Sequence, residues 1–190
     1  MGKIFFIADP HFGHEKIIQL CNRPFDNVQD MNEQLIEKWN NKVTDEDTIY
    51  ILGDFCFKMS KQDAIKVLKQ LKGKKILIKG NHDKYAGQRD FDNCFEGIYD
   101  YLQISQFKQQ IILCHYPIID YAGMYYGAKM IYGHIHDKYI PHKDMYCVSA
   151  ECINYEPVTL EEIESIYKLK EVKENIDWSK PWQEKPWTRI

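Results

Sequence analysis

Short apolar runs bounded by glycine and acidic residues recur along the chain: Ile4 to Ala8, Ile49 to Leu52, Ile76 to Ile78, Ile111 to Cys114 and Met130 to Tyr132. Runs of this length predict strands buried on both faces. Helical periods separate the first three. Met31, Leu35, Ile36 and Trp39 share one face of a helix that Asp30 can cap, and Ser60 with Asp63 opens a second that carries Ala64, Ile65, Leu68 and Leu71. Strand-helix-strand order there predicts right-handed crossovers and a largely parallel sheet. The pattern then changes. Ile98 to Ser105 and Phe107 to Cys114 are extended runs with almost nothing between them, which predicts an antiparallel hairpin and, with it, a second sheet. A strand is expected at Met145 to Ser149, then a helix from Leu160 to about Lys170, opened by Thr159 with Glu162 at capping-box spacing.

At 190 residues and 44% hydrophobic content the chain can bury the core of one domain, expected over residues 1–175. Residues 176–190 form a separate tail, in which Trp178, Trp182 and Trp187 alternate with Pro181 and Pro186 and the prolines forbid a helix. The tail either packs its indoles over the domain's own surface or makes a contact with a partner, a second copy of the chain included.

Net charge changes the picture little: 25 Lys and Arg against 28 Asp and Glu give −3, so no overall positive field draws in nucleic acid or an anionic membrane. Lys66, Lys69, Lys72, Lys74 and Lys75 read as a solvated helix and turn. The apolar start meets Asp9 too soon for a signal peptide, and no apolar stretch approaches a membrane span. Six cysteines without CxxC spacing read as reduced thiols. A cytoplasmic location is expected.

Candidate chemistry sits where the strands end. Asp9-Pro10-His11, Gly53-Asp54, Gly80-Asn81-His82-Asp83, His115 and Gly133-His134-Ile135-His136 each closely follow one apolar run, and ligands of open α/β sheets collect beyond the carboxyl ends of the strands. Asp9 and His11, on alternate residues, are expected to point to one side of an extended strand end and share a cation. Asp54 can bridge two ions. Two divalent cations about 3.5 to 4 Å apart lower the pKa of a shared water and clamp an in-line phosphoryl displacement. A lone Gly-Asp is usually a turn, and Gly-Asn-His-Asp alone can be a loop. Their joint order, with two alternating imidazoles at His134 and His136, outweighs that reading.

In that order the five clusters resemble the signature of the calcineurin-like metallophosphoesterases, from residue 3 to about residue 160. The stretch from His11-Phe12-Gly13-His14 through Asn22-Arg23-Pro24-Phe25 also looks like a compact bacterial and phage branch without a large cap domain. The resemblance implies an α/β fold, a four-layer α/β/β/α sandwich with mixed sheets. It also implies Asp9, His11 and His136 on one metal, Asn81, His115 and His134 on a second, and Asp54 between them. His82 would not ligate; it would contact the phosphate and protonate the leaving oxygen. The activity implied is hydrolysis of a phosphodiester, or less readily a phosphomonoester, by a metal-bridging hydroxide, on a small and nucleotide-like substrate. Mn²⁺ leads as cofactor, with Fe, Zn or Ni as alternatives. A nuclease acting on DNA or RNA and a non-catalytic metal-binding scaffold are the rival functions.

Some polar residues stay open. His14 and Arg23, which bracket the first short helix, either reach the substrate phosphate or serve as caps and surface groups. Tyr116, Tyr121, Tyr125 and Tyr126 either line an aromatic wall on which a base stacks or pack a loop.

Overall fold

A computed structural model describes residues 2–106, 108–140 and 142–174. The tail at 176–190 and its tryptophans lie outside the described residues, as does Phe107. In chain order the elements are β1 (Ile4–Ile7), α1 (Glu15–Leu20), α2 (Val28–Lys42), β2 (Thr48–Ile51), α3 (Lys61–Gln70), β3 (Lys74–Ile78), α4 (Arg89–Asp92), β4 (Gly97–Tyr99), β5 (Tyr101–Gln106), β6 (Gln109–Cys114), β7 (Lys129–Tyr132), β8 (Met145–Cys147) and α5 (Leu160–Glu174). Short 3₁₀ turns occupy Met124–Tyr126 and Ala150–Ile153.

The first sheet has the order β1-β2-β3-β4 and is parallel throughout. The second, β5-β6-β7-β8, pairs β5 antiparallel to β6 and is otherwise parallel. With its helices this is the layered α/β/β/α arrangement. Parallel strands covered on both faces need continuous apolar runs, and Phe5, Phe6, Ile7, Ile49, Ile51, Ile112, Leu113, Met130 and Ile131 are all buried. Among the described residues no helix is long and apolar enough to cross a membrane.

Two expectations need correction. The run from Ile98 to Ser105 is not one strand: Ile98 and Tyr99 pair with β3 in the first sheet, the exposed Asp100 bends, and from Tyr101 the chain pairs with β6 in the second. A single Asp between two tyrosines is all that interrupts the run where the partner changes, so the pattern hides the crossing. Nor does Asp30 cap α2. Asn27 is the cap, its side chain accepting from Asp30 N–H at 3.0 Å. Asp30 sits in the first turn, where a carboxylate favours the positive end of the helix dipole. Ser60 on α3 and the Thr159–Glu162 box on α5 do act as caps.

The sheets meet along β1. Phe6 exchanges two hydrogen bonds with Val158, Ala8 N–H donates to Val148 O, and Ala150 N–H donates to Ala8 O. β1 therefore pairs with β2 on one side and with the chain after β8 on the other, which brings the carboxyl ends of both sheets together. The lysine face has partners of its own: Lys66 pairs with Asp63, Lys72 reaches Asn40 O, and Lys75 reaches the carbonyls of Leu71 and Gly73. None of the six cysteines forms a disulfide.

Candidate metal centre

Beyond the strands, backbone bonds continue between loops. Asp9 N–H donates to Gly53 O, His11 N–H to Asp54 O and Gly133 N–H to His115 O. Clusters far apart in sequence thus become neighbours. Gly53 is required here twice over: its φ is 85°, and a Cβ would lie 2.4 Å from His115 Nδ1. The strand-end residues are not extended as the sequence suggests. Asp9 (φ 53°), His11 (52°), Asp54 (54°), His134 (70°) and His136 (54°) all adopt left-handed backbone. Each such residue costs of the order of 1 kcal/mol or more and persists only where surroundings hold it. Asp and His tolerate this region better than most side chains.

Asp83 does much of that holding. Its buried carboxylate accepts from the N–H groups of Asp54, Phe55 and Gly80 at 2.8 to 2.9 Å, tying two clusters to one side chain. Burial raises its pKa, and the backbone hydrogen bonds work against that rise. Asp83 stands within a motif the sequence singled out, but nothing in the spacing assigned it this task.

Asp9, His11 and His136 bring ligand atoms within reach of one another, and so do Asp9, Asp54 and His115. Asp54 Oδ2 lies 3.6 Å from His11 Nε2 and 3.7 Å from His115 Nε2. Asp54 Oδ1 accepts from His82 N–H at 2.8 Å. His134 packs its ring on His115 at 5.0 Å, while His136 stacks on His11 at 5.2 Å, so the Gly-His-x-His pair serves two groups. His115 Nδ1 lies 2.8 Å from Leu52 O; a carbonyl only accepts, so the proton sits on Nδ1 and Nε2 offers a lone pair. That lone pair faces Asn81 Oδ1 at 3.1 Å. Two acceptors at that distance suit a cation between them.

Orphaned atoms tell the same story. Asp9 Oδ2 accepts from Ser149 O–H at 2.6 Å and from His134 N–H at 2.8 Å, while its buried Oδ1 has no hydrogen-bond partner. Neither ring nitrogen of the buried His11 has one. Buried polar atoms are normally satisfied, and a carboxylate oxygen with imidazole nitrogens is a donor set that divalent transition metals accept. The residues fit a metal.

Electrostatics divide the three ligands of the first group. Burial, more than any other influence, raises Asp9 to a pKa of about 6. Burial and the neighbouring His136 hold His11 well below the ordinary imidazole range. For His136 burial opposes the charge, but the hydrogen bonds its ring makes to Cys21 and Glu151, with the nearby Asp9, outweigh it and raise the group to about 10.

The remaining expected residues fall in different places. His82 is half-buried at the mouth, its Nε2 3.9 Å from Asp54 Oδ2 and its ring against Phe57 at 4.6 Å. His14 reaches the same wall: its ring is 4.3 Å from Phe57 and 5.2 Å from His11, its Nδ1 has no partner, and burial with the Arg23 charge lowers it to about 4. Arg23 does not face the mouth. Its side chain is buried and spent on Glu151 and on the carbonyls of Asp9 and Pro10. The tyrosines do not form one wall. Tyr116 packs on His115 and His134. Tyr121 is buried with its hydroxyl donating to Ala128 O, and Tyr125 and Tyr126 stand exposed on a turn next to Gly127, whose carbonyl is held by Gln109. Gln109 and Ala128 lie at the opposite ends of β6 and β7 from His115 and His134, roughly 15 to 20 Å away at the rise of a strand.

Comparison with protein families matches residues 2–188 to one described as calcineurin-like phosphoesterase. An uncharacterized protein of Methanocaldococcus jannaschii is 35% identical over 185 residues, covering 93% of this chain and 98% of its own. The gene 66 protein of Mycobacterium phage D29 is 26% identical over 165 residues, covering 74% of this chain and 81% of its own. Among solved structures, a protein of unknown function from Aquifex aeolicus superposes with a TM-score of 0.69 at 26% identity, covering 87% of this chain and all of that one.

Proposed function

This chain belongs to the calcineurin-like phosphoesterase family, whose members are metal-dependent phosphoesterases, and we propose that it hydrolyses a small, nucleotide-like phosphodiester, a phosphomonoester less readily, at a centre for two divalent cations. The observation that carries the reading is Asp54 Oδ2, one oxygen set 3.6 Å from His11 Nε2 and 3.7 Å from His115 Nε2, two imidazoles of different clusters. Asp9, His11 and His136 would hold one cation, Asn81, His115 and His134 the other, and Asp54 both. When bound, such a pair supplies a nucleophile at neutral pH and neutralises phosphate charge, with Mn²⁺ the first candidate and Fe, Zn or Ni behind it.

The chain's own residues supply the rest. His82, fixed through its N–H to Asp54 Oδ1 and leaning on Phe57, stands where a leaving oxygen would take its proton. His14, beyond Phe57, presents a neutral imidazole to the same wall. Tyr116, 45% exposed beside His134, borders the other side and offers an aromatic surface to the ester's substituent. His82 and Tyr116 are both partly exposed, which suits a diester whose second substituent extends outward. A scaffold has no need of buried ligand atoms left without hydrogen bonds, such as Asp9 Oδ1 and the ring nitrogens of His11.

The test is hydrolysis of bis-p-nitrophenyl phosphate beside p-nitrophenyl phosphate by metal-stripped protein resupplied with Mn²⁺. Diester cleavage is expected, lost in Asp54→Asn. In His82→Ala turnover should fall by about 10²-fold or more with metal content unchanged. Monoester preference would overturn the diester assignment, and loss of metal from the His82 variant would overturn its role as proton donor.

A further inference from the structure

Arg23 and Glu151 form an ion pair whose side chains are only 0% and 5% exposed. The guanidinium forks: Nη1 donates to Pro10 O and Nη2 to Asp9 O, each at 2.8 Å, while Nε donates to Glu151 Oε1 at 2.9 Å. The same Oε1 lies 3.2 Å from His136 Nδ1. A buried ion pair is weak ground for stability by itself, since desolvation offsets the attraction. This one joins two sides of a single cluster, the strand end that carries Asp9 and the loop that carries His136. A carboxylate must accept, so Nδ1 of His136 bears a proton, and Nε2 is the nitrogen that would donate a lone pair to a cation once its own proton has left. Groups placed behind a ligating imidazole in this way fix its tautomer and aim and make it a better donor.

We propose that Glu151 is a positioning residue for His136 and that Arg23 is the brace holding Glu151 against the Asp9–Pro10 backbone, so that the pair sets the geometry of the His136 cation site. The proposal rests on the reading of His136 as a ligand. A competing use of the same atoms exists. Cys21, His136 and Glu151 lie close enough together to hold a cation themselves. The Arg23 charge 2.7 Å from Glu151 weighs against it, because that carboxylate is already neutralised.

The experiment is titration of the metal-free full chain with Mn²⁺, reading free ion by electron paramagnetic resonance and folding by circular dichroism. Wild type should bind two ions. In Glu151→Gln one site should weaken by about 10- to 100-fold while the other keeps its affinity, and Glu151→Asp should recover part of the loss. In a His136→Ala background, Glu151→Gln should change nothing further, since it acts through that imidazole. An unchanged isotherm, equal weakening of both sites, or an undiminished effect without His136 would overturn the proposal. So would a third bound equivalent that disappears with Glu151, which would make it a ligand. Failure of wild type to bind any ion would instead sink the reading of the centre itself. If Glu151→Gln does not fold, Glu151→Asp, one methylene short with its charge kept, carries the same comparisons.

Discussion

At Asp9 one carboxylate divides its labour: Oδ2 is held by Ser149 and His134, and Oδ1 is left bare in a buried space. Burial raises its pKa to about 6, against an ordinary value of 3.8. Without metal, the folded state therefore holds this proton more tightly than the unfolded chain, and the contribution of Asp9 to stability declines as pH rises from about 4 through 6. A bound cation needs the proton gone, so the stabilisation it adds should grow over the same interval. His136, raised to about 10, extends that growth to higher pH. Melting curves between about pH 5 and 8, in chelator and in Mn²⁺, should diverge with rising pH; parallel curves would contradict this account. The ligand types were legible because their order and spacing are local, whereas the left-handed backbone at five of them was not. Arg23 was visible as a candidate but its target was not, since a guanidinium suits a substrate phosphate as well as an internal carboxylate. Glu151 and Ser149 were missed altogether. Ser149 meets Asp9 across 140 positions and Glu151 meets Arg23 across 128, and no local pattern announces either contact.

Among the elements, α2 shows how one turn separates two acidic or amide candidates. Asn27 takes the cap and Asp30 the third helical position, where its carboxylate accepts from Asp26 N–H and Gln34. Asn27→Ala should cost about 1 kcal/mol and lower the melting temperature by about 2 to 4 °C, while Asp30→Ala should cost less than half as much because only a dipole contact and exposed hydrogen bonds are lost. Equal losses in thermal unfolding would contradict the assignment. Periodicity found the helix because Met31, Leu35 and Trp39 repeat at four-residue spacing and are all buried. It failed at Asp100, where β4 and β5 share one apolar stretch and belong to different sheets. Hydrophobic pattern reports burial, and both strands are partly buried; it does not report which neighbour does the burying.

For the molecule as a whole, the decisive contact is the approach of Gly133 to the end of β1. A Cβ there would come within 2.5 Å of both Ala8 Cβ and Asp9 Oδ2, one on the seam between the sheets and the other in the cation site. Gly133→Ala should therefore lower both the melting temperature of metal-free protein and the increment added by Mn²⁺; an unaltered increment would mean that the sheets can part without moving Asp9. The layered fold was legible from strand and helix order, and the convergence of two sheets on one centre followed from the resemblance, but the seam itself was not, since Phe6 and Val158 lie 152 positions apart by number and meet only in space. That seam bears on how the molecule can come apart. β1 is hydrogen-bonded to both halves, so a chain severed near residue 107 would leave one fragment with an open edge along β1 and the other with nothing to pair beyond β8. Neither could keep its share of the centre, and the architecture has no natural line along which it could be inherited, or rebuilt, as two modules.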